Sequence, residues 1–409
     1  MKGAPRLHNP WWVVAGSTIG LIAGNGPIVL FTYGILLTPV TAEFGWPRAS
    51  FGDSILVAHV TAALMTPFAG MFVDRWGIRR ASLTFITLFA VSIAAIGLTP
   101  ASPAVFLLLY ALAGVFSAGQ TVMPYAKAVS ACFDSKRGLA LGIALAGVGL
   151  GQLLMPQYTR YLIEHFGWRE AYFGLGVAVF ALAFPAVAFL VGQADTQLAA
   201  RRNRGVPALP GMEVPQAVRS TRLWTLGIAG FLVAVAVNGT IPHVVPVLTE
   251  RGISFAAAAW IAGASGIGAI LGRVCTGFLV DRIFAPYVAV GSFTFPFLGV
   301  ALLASGADGL APLAAVFCLG LGLGAEIDTM GYMASRYFGI RCYGEIYGYV
   351  FGMFAIGSGF GPFLWDRSFD ATGNYGVALG ASLAAIGIAA VLVLRLGPYA
   401  YPAPKYELA

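Results

Sequence analysis

The chain has 409 residues, of which 58% are apolar and 10% charged, with 53 glycines and a net charge of +7. Soluble domains carry about 25% charged residues, and glycine is commoner in membrane helices than in soluble ones, so an ordinary soluble enzyme or scaffold is excluded. Four cysteines, Cys132, Cys275, Cys318 and Cys342, are scattered without CxxC spacing, which excludes a disulfide framework or a structural zinc site.

Lys2 and Arg6 precede an apolar run from Trp11 to about Val40. That run is too long for a signal peptide and lacks a small-residue cleavage site, so a retained first membrane span is expected. Apolar segments recur twelve times, near 11–37, 51–73, 81–99, 103–132, 139–159, 171–192, 223–248, 256–280, 285–304, 311–335, 343–364 and 375–397. The single long polar connection holds Arg201, Arg202, Arg204 and three prolines. The expected architecture is an all-α membrane protein of twelve transmembrane helices in two pseudo-symmetric six-helix bundles. Residues 1–192 form the first bundle, 193–222 the linker and 223–409 the second bundle.

Charge orients the molecule. The even-numbered connections and both tails carry 17 Lys/Arg, the odd-numbered connections carry five, and Lys127 and Arg273 fall inside spans. The positive-inside bias puts both termini and the linker in the cytoplasm, as expected in a cell inner (plasma) membrane. The basic balance is that of inserted topology, and no nucleic-acid partner is required.

The halves repeat one another. Gly70 to Arg75 (GMFVDR) and Gly277 to Arg282 (GFLVDR) align at an offset of 207. At an offset of 206, Gly138, Gly142, Gly151, Pro156 and Gly167 fall on Gly344, Gly348, Gly357, Pro362 and Gly373. Duplicated halves predict alternating access to a central site at their interface. Between spans 2 and 3, Gly70 to Arg80 reads GMFVDRWGIRR. It resembles the loop signature of the major facilitator superfamily, G-x-x-x-D-R-x-G-x-R-R, at every fixed position. The resemblance implies a cytoplasmic gate made by Gly70, Asp74, Arg75, Gly77, Arg79 and Arg80, repeated by Gly277, Asp281 and Arg282. The alternative is that these charges only mark the membrane surface.

Inside the spans, charge is rare and therefore informative. Arg273 lies eight residues before Asp281 in an apolar run, which places it roughly 12 Å below the surface and near the bilayer midplane. A guanidinium at that depth faces an aqueous cavity or a counter-charge, and its planar fork suits a carboxylate. The competing role is helix packing. Asp328 lies eight residues before Arg336 and Lys127 nine before Lys136, at similar depth. With Glu326 they supply two cations and two acids, either as an exchangeable network that carries a proton or as fixed pairs holding helices. Glu326 and Asp328 are roughly 200° apart on the helix, so only one faces the cavity fully. Asp53 sits near the start of span 2 and reads as an N-terminal acid.

Histidine as a residue type can change charge near neutral pH, so His243 in span 7 is a candidate proton relay or substrate donor, with Asn238 five residues deeper. A neutral hydrogen-bonding histidine is the other reading, and it is favoured for His59. Tyr332, Tyr347 and Phe351 are candidate cavity-lining aromatics, or simply packing. Gly142, Gly147, Gly149 and Gly151 follow no strand and read as close helix packing rather than a phosphate loop.

Phe133 to Gly151, FDSKRGLALGIALAGVGLG, taken with Arg273, resembles the monocarboxylate transporter branch, including bacterial lactate-type and oxalate/formate-type carriers. That resemblance implies that Arg273 binds the substrate carboxylate, that transport is proton-coupled and that the carrier is a monomer. Tyr125 on span 4 stands where bacterial lactate-type relatives have a tyrosine, and could bond a carboxylate or fill interhelical space. Two departures stand out. His8-Asn9-Pro10-Trp11-Trp12 keeps only the aromatic character of the first-span signature of animal members, and Ala269 stands where those members carry an aspartate.

No nucleophile–base set, HExxH or GxSxG is present, so no enzyme, metal or cofactor is expected. No ATP-binding motif is present either, so uphill movement must draw on a gradient. The expected function is carriage of a small monocarboxylate with a proton. A dicarboxylate or larger organic-acid carrier or exchanger is the alternative, because Lys127 offers a second cation. An anion channel is the remaining class, disfavoured by the duplicated halves and gate motif.

Overall fold

The computed structural model describes residues 9–133, 137–195, 211–280, 282–339 and 342–401. Among the described residues, eleven helical stretches are long and apolar enough to cross a membrane. Helix Tyr343–Thr372 has the length but carries Glu345, Asp366, Arg367 and Asp370. Counting it as span 11 gives twelve spans among the described residues. Span 2 is Arg48–Trp76, span 3 Ile78–Ile96, span 5 Arg137–Phe166 and span 6 begins at Trp168–Pro185. Spans 7 to 10 are Thr221–Glu250, Phe255–Val280, Ala285–Ser305 and Ala311–Phe338, and span 12 is Gly376–Leu394.

Spans 1, 4 and 6 are broken, span 6 where Pro185 leads into a π-helical turn at Ala186–Leu190. Span 1 runs as Trp11–Ile22, a π-helical turn Gly26–Leu30 holding Pro27, and Tyr33–Phe44. Proline lacks the N–H that the helix ladder needs, so the ladder slips there. Span 4 runs as Pro103–Ser117 and Val122–Cys132, with extended Thr121 ahead of Pro124. The breaks in spans 1 and 4 mend each other: Gln120 Nε2 donates to Gly20 O at 3.0 Å, and the Tyr125 hydroxyl donates to Gln120 Oε1 at 2.8 Å.

Spans 1 to 6 share one apolar core, with Tyr33, Phe51, Phe89 and Tyr172 deep inside. Spans 7 to 12 share a second core, into which Leu30, Phe31 and Ile35 of span 1 also reach. Large apolar side chains such as Val177, Phe189, Leu298 and Ile388 are exposed, as lipid-facing positions must be. The repeat survives in the backbone: Gly167 and Gly373, at the 206-residue offset, end spans 5 and 11 with φ of 99° and 71°. It also survives in the caps. Asp195 accepts from the Ile78 N–H at 2.7 Å and the Arg79 N–H at 3.0 Å, satisfying the start of span 3. In the second half Ala285, at the 207-residue offset from Ile78, donates its N–H to the Tyr399 hydroxyl at 2.7 Å. Burial raises the pKa of the Tyr399 phenol above its ordinary range, so it remains a neutral partner there.

The halves meet along spans 2 and 11, 5 and 8, and 1 and 7. Glycine makes these crossings close. A Cβ on Gly34 would stand 1.7 Å from Pro242 O, and one on Gly266 would stand 2.4 Å from Gly149 O. These seams close the molecule on the face away from the chain termini, here called the far face.

Candidate functional site

Small residues bring span 8 against span 10. A Cβ on Gly272 would meet Leu321 O at 2.1 Å, and one on Gly324 would meet Ala269 O at 2.0 Å and Arg273 N at 2.9 Å. Only glycine permits that approach, and it sets Arg273 beside Asp328. Arg273 Nε lies 3.2 Å from Asp328 Oδ2, with side chains 12% and 27% exposed. Arg273 Nη1 also reaches the other half, donating to Leu145 O of span 5 in a long contact of 3.4 Å. The guanidinium therefore bridges the halves just past the point where spans 5 and 8 close at Gly149 and Gly266. Its counter-charge is only partly enclosed.

Glu326 and Asp328 face apart, as their angular separation requires. Glu326 is buried inside the second half, against Leu226, Gly230, Val233, Phe293 and Met330. Neither of its carboxyl oxygens has a hydrogen-bond partner among the described residues. Lys127 lines a cavity of about 170 Å³ with Thr66, Gly70, Val73, Met123 and Pro124, all from the first half. Tyr125 is fully buried, bonded to Gln120 and seated where a Cβ on Gly20 would meet its hydroxyl oxygen at 2.5 Å. It is occupied in holding spans 1 and 4 together. Tyr332 accepts from Arg336 Nη2 at 2.8 Å, and Tyr347 donates to Ile327 O at 3.2 Å, next to Asp328.

His243 and Asn238 are bonded into a different place. Asn238 Nδ2 donates to Ser358 Oγ at 3.2 Å, tying span 7 to span 11. His243 has no exposure, and its Nε2 lies 2.9 Å from Asp366 Oδ1 while its Nδ1 lies 2.7 Å from Gly239 O. The other Asp366 oxygen accepts from the Tyr33 hydroxyl of span 1. His59 bonds Ile55 O at 3.0 Å and packs on Gly359, at the crossing of spans 2 and 11.

Nearer the far face a polar layer continues this joint. Arg48 pairs with Glu250 at 2.8 Å, bonds the Tyr375 hydroxyl and lies 3.8 Å over the Phe369 ring. Asp370 of span 11 accepts from the Ala49 N–H at 2.7 Å, capping span 2 of the opposite half, and Arg367 pairs with Asp53 at 3.0 Å. Sequence reasoning missed Tyr33, Arg48, Glu250, Asp366 and Asp370. Each acid or base stands near a span end, where charge reads as a surface marker. The available signal was the density of ionisable residues in WDRSFD, at the end of an apolar span.

Of the loop signature, Gly77 has a φ of 83° and sits against the Asp195 carboxylate, a conformation that a side chain disfavours. Gly70 and Gly277 have nothing within 4 Å of a built Cβ. Arg75, Arg79 and Arg80 are exposed. Arg282 donates to Phe278 O at 2.9 Å and lies over the Phe278 ring. The Asp74 side chain and Asp281 lie outside the described residues. No group of three or more candidate metal ligands occurs among the described residues.

A family model described as Major Facilitator Superfamily matches residues 19–362. A Bacillus subtilis relative, "Uncharacterized MFS-type transporter YcxA", is 23% identical over 96% of this chain and 96% of its own length. "Monocarboxylate transporter 11" of Mus musculus is 26% identical over 89% of this chain and 82% of its own, and "Gallate transporter" of Pseudomonas putida 24% over 80% and 82%. Among solved structures, a point mutant of the nucleoside transporter NupG superposes with a TM-score of 0.72 at 14% identity, covering 95% of this chain and 98% of that one.

Proposed function

We propose that this chain, which belongs to the Major Facilitator Superfamily, carries a small monocarboxylate across the membrane together with a proton. The observation that carries the reading is the Arg273–Asp328 pair, partly exposed and in contact with the opposite half. An incoming carboxylate takes the guanidinium fork bidentately, and Asp328, released from its cation, takes the proton. Substrate and proton thus bind by exchange at one place, and the site is near neutral both empty and loaded. Neutrality in both states keeps the cost of crossing low, since uncompensated charge in the bilayer is expensive. Within this reading Glu326 and His243 are alternative proton carriers, and Tyr332 and Asn238 help shape the path. The monocarboxylate transporter among the relatives supports the substrate class.

The second reading is a larger or doubly charged organic acid, moved alone or by exchange. It is favoured by the Lys127 cavity in the first half and by a relative named for gallate. Charge bias supports cytoplasmic termini in a plasma membrane, with the chain acting as a monomer and the Gly70–Arg80 loop and its repeat as the cytoplasmic gate.

The experiment is uptake into proteoliposomes with an imposed pH gradient. It scans lactate and pyruvate against oxalate, malonate and aromatic acids. Arg273→Lys keeps the charge and loses the fork, and uptake is expected to fall roughly 10- to 100-fold, the size of one charge-assisted hydrogen bond. Asp328→Asn is expected to keep substrate binding and lose the pH dependence. Unchanged uptake by Arg273→Ala overturns the site, and loss of dianion binding alone in Lys127→Ala favours the second reading.

A further inference from the structure

The Asp366–His243 contact fixes the number of hydrogens the pair holds. Gly239 O can only accept, so His243 Nδ1 carries a hydrogen and donates to it. Two lone pairs facing one another at 2.9 Å would repel, so a second hydrogen lies between Nε2 and Asp366 Oδ1. Whether that hydrogen sits on nitrogen or oxygen, the pair is neutral and holds one proton more than a free carboxylate and a neutral imidazole. Both side chains have no exposure, and a net charge in such a place is costly. The other Asp366 oxygen is held by Tyr33, which belongs to the opposite half.

We propose that Tyr33, Asp366 and His243 form a proton-binding latch on the far face, closed while one proton is held between Asp366 and His243 and opened when it leaves. The ligand is a proton taken from the far side, which is outside if the termini are cytoplasmic. Opening that face must separate span 1 from spans 7 and 11, pull Tyr33 off the carboxylate and admit water to it. Hydrated, Asp366 and His243 no longer need the shared proton to escape a buried charge. The charged and titratable groups facing the latch are few: Tyr33 from span 1, Arg48 from span 2, Tyr110 from span 4, Glu250 at the end of span 7 and Tyr375 before span 12. Arg48 is already engaged by Glu250 and Tyr375 in the layer above, and Asp370 and Arg367 of span 11 are engaged with span 2. No second base touches Asp366 among the described residues, so the proton count of the latch is set by this pair.

The inference rests on alternation between two faces, not on the identity of the cargo. Its test is therefore read without substrate, and its failure leaves the Arg273 assignment standing. Ile35→Cys places a thiol on span 1 inside the core of the opposite half, buried while the far face is closed. In the full-length protein with its four native cysteines replaced, labelling by a membrane-impermeant maleimide from the far side is followed against the pH on that side, corrected for maleimide reactivity on an exposed thiol control. One linked proton changes the open-to-closed ratio by up to about tenfold per pH unit, so labelling is expected to quicken as pH rises. In Asp366→Asn the amide N–H can donate to His243 Nε2 and the amide oxygen can accept from Tyr33 without a titrating proton, so labelling is expected to lose its pH dependence and stay slow. Tyr33→Phe, a milder change that keeps the pair, is expected to keep the pH dependence with faster labelling throughout. A Val245→Cys reporter on span 7 repeats the measurement from the other side of the joint. The parent pH dependence persisting in Asp366→Asn, or its absence in the parent with both reporters, overturns the latch.

Discussion

Glu326 provides the sharpest test of how charge is held in the second half. Its carboxyl is 2% exposed, and both oxygens lack a hydrogen-bond partner among the described residues. The surrounding side chains are apolar: Leu226, Val233, Phe293, Met330 and Met333 among them. A buried polar group left unsatisfied costs about 1–3 kcal/mol, and a swap of similar volume in a packed core costs under about 1.5 kcal/mol. Glu326→Met should therefore stabilise the protein by on the order of 1 kcal/mol, a rise of about 2–4 °C for a unit the size of one half. Glu326→Gln keeps an amide in the same apolar place and should gain little. The assay is thermal unfolding of purified protein in detergent, with uptake measured on the same preparations. A stabilised Glu326→Met that has lost proton-driven uptake marks a polar group retained for transport at the expense of stability. A stabilised variant with normal uptake removes Glu326 from the proton path. If Glu326→Met lowers the unfolding midpoint while Gln does not, the carboxyl is satisfied in the protein and the reasoning fails.

Two further substitutions probe the closed far face and the caps. Gly34→Ala puts a Cβ 1.7 Å from Pro242 O, a backbone atom that cannot rotate away, so the closed face should loosen. The expected result is faster far-side labelling of a cysteine at Val245; labelling at the parent rate would mean that spans 1 and 7 do not approach this closely. Asp195→Ala removes both acceptors for the Ile78 and Arg79 N–H groups and should lower stability by about 1 kcal/mol, with Asp195→Asn, which keeps one acceptor oxygen, falling between. Unfolding midpoints of the parent and the two variants check this, and an Asp195→Ala midpoint equal to the parent's would mean that the cap contributes nothing.

The twelve-span pattern was legible because a bilayer imposes it: each crossing needs a long apolar run, and charge is confined to the ends. The same rule made Arg273 and Asp328 visible, since charge away from an end needs a partner, and the two are paired at 3.2 Å. The angular argument also separated Glu326 from Asp328. What sequence could not give was which polar groups meet across the interface between halves. Tyr33 and Asp366 are 333 residues apart and find each other only because spans 1, 7 and 11 converge. Tyr125 illustrates the converse. Its depth and neighbours suited a ligand, but the break before Pro124 turns it onto Gln120 and Gly20, where it mends the backbone.

The two ends of the interface differ in a way that bears on transport. On the far face, Arg48, Asp53, Glu250, Arg367 and Asp370 are joined in cross-half pairs and caps, so opening there exposes charges that water readily solvates. Such surface pairs are individually worth at most about 1 kcal/mol, so this layer resists opening only weakly. The buried Tyr33–Asp366–His243 joint below it is different, because separating it without water entry would strand polar groups in a dry place. In the proposed latch, water must therefore enter as the halves part. Arg273, beyond the Gly149–Gly266 crossing, is reached from the far side only after that parting. Under the proposed function, an anion arriving there meets a cation whose partner, Asp328, it can replace.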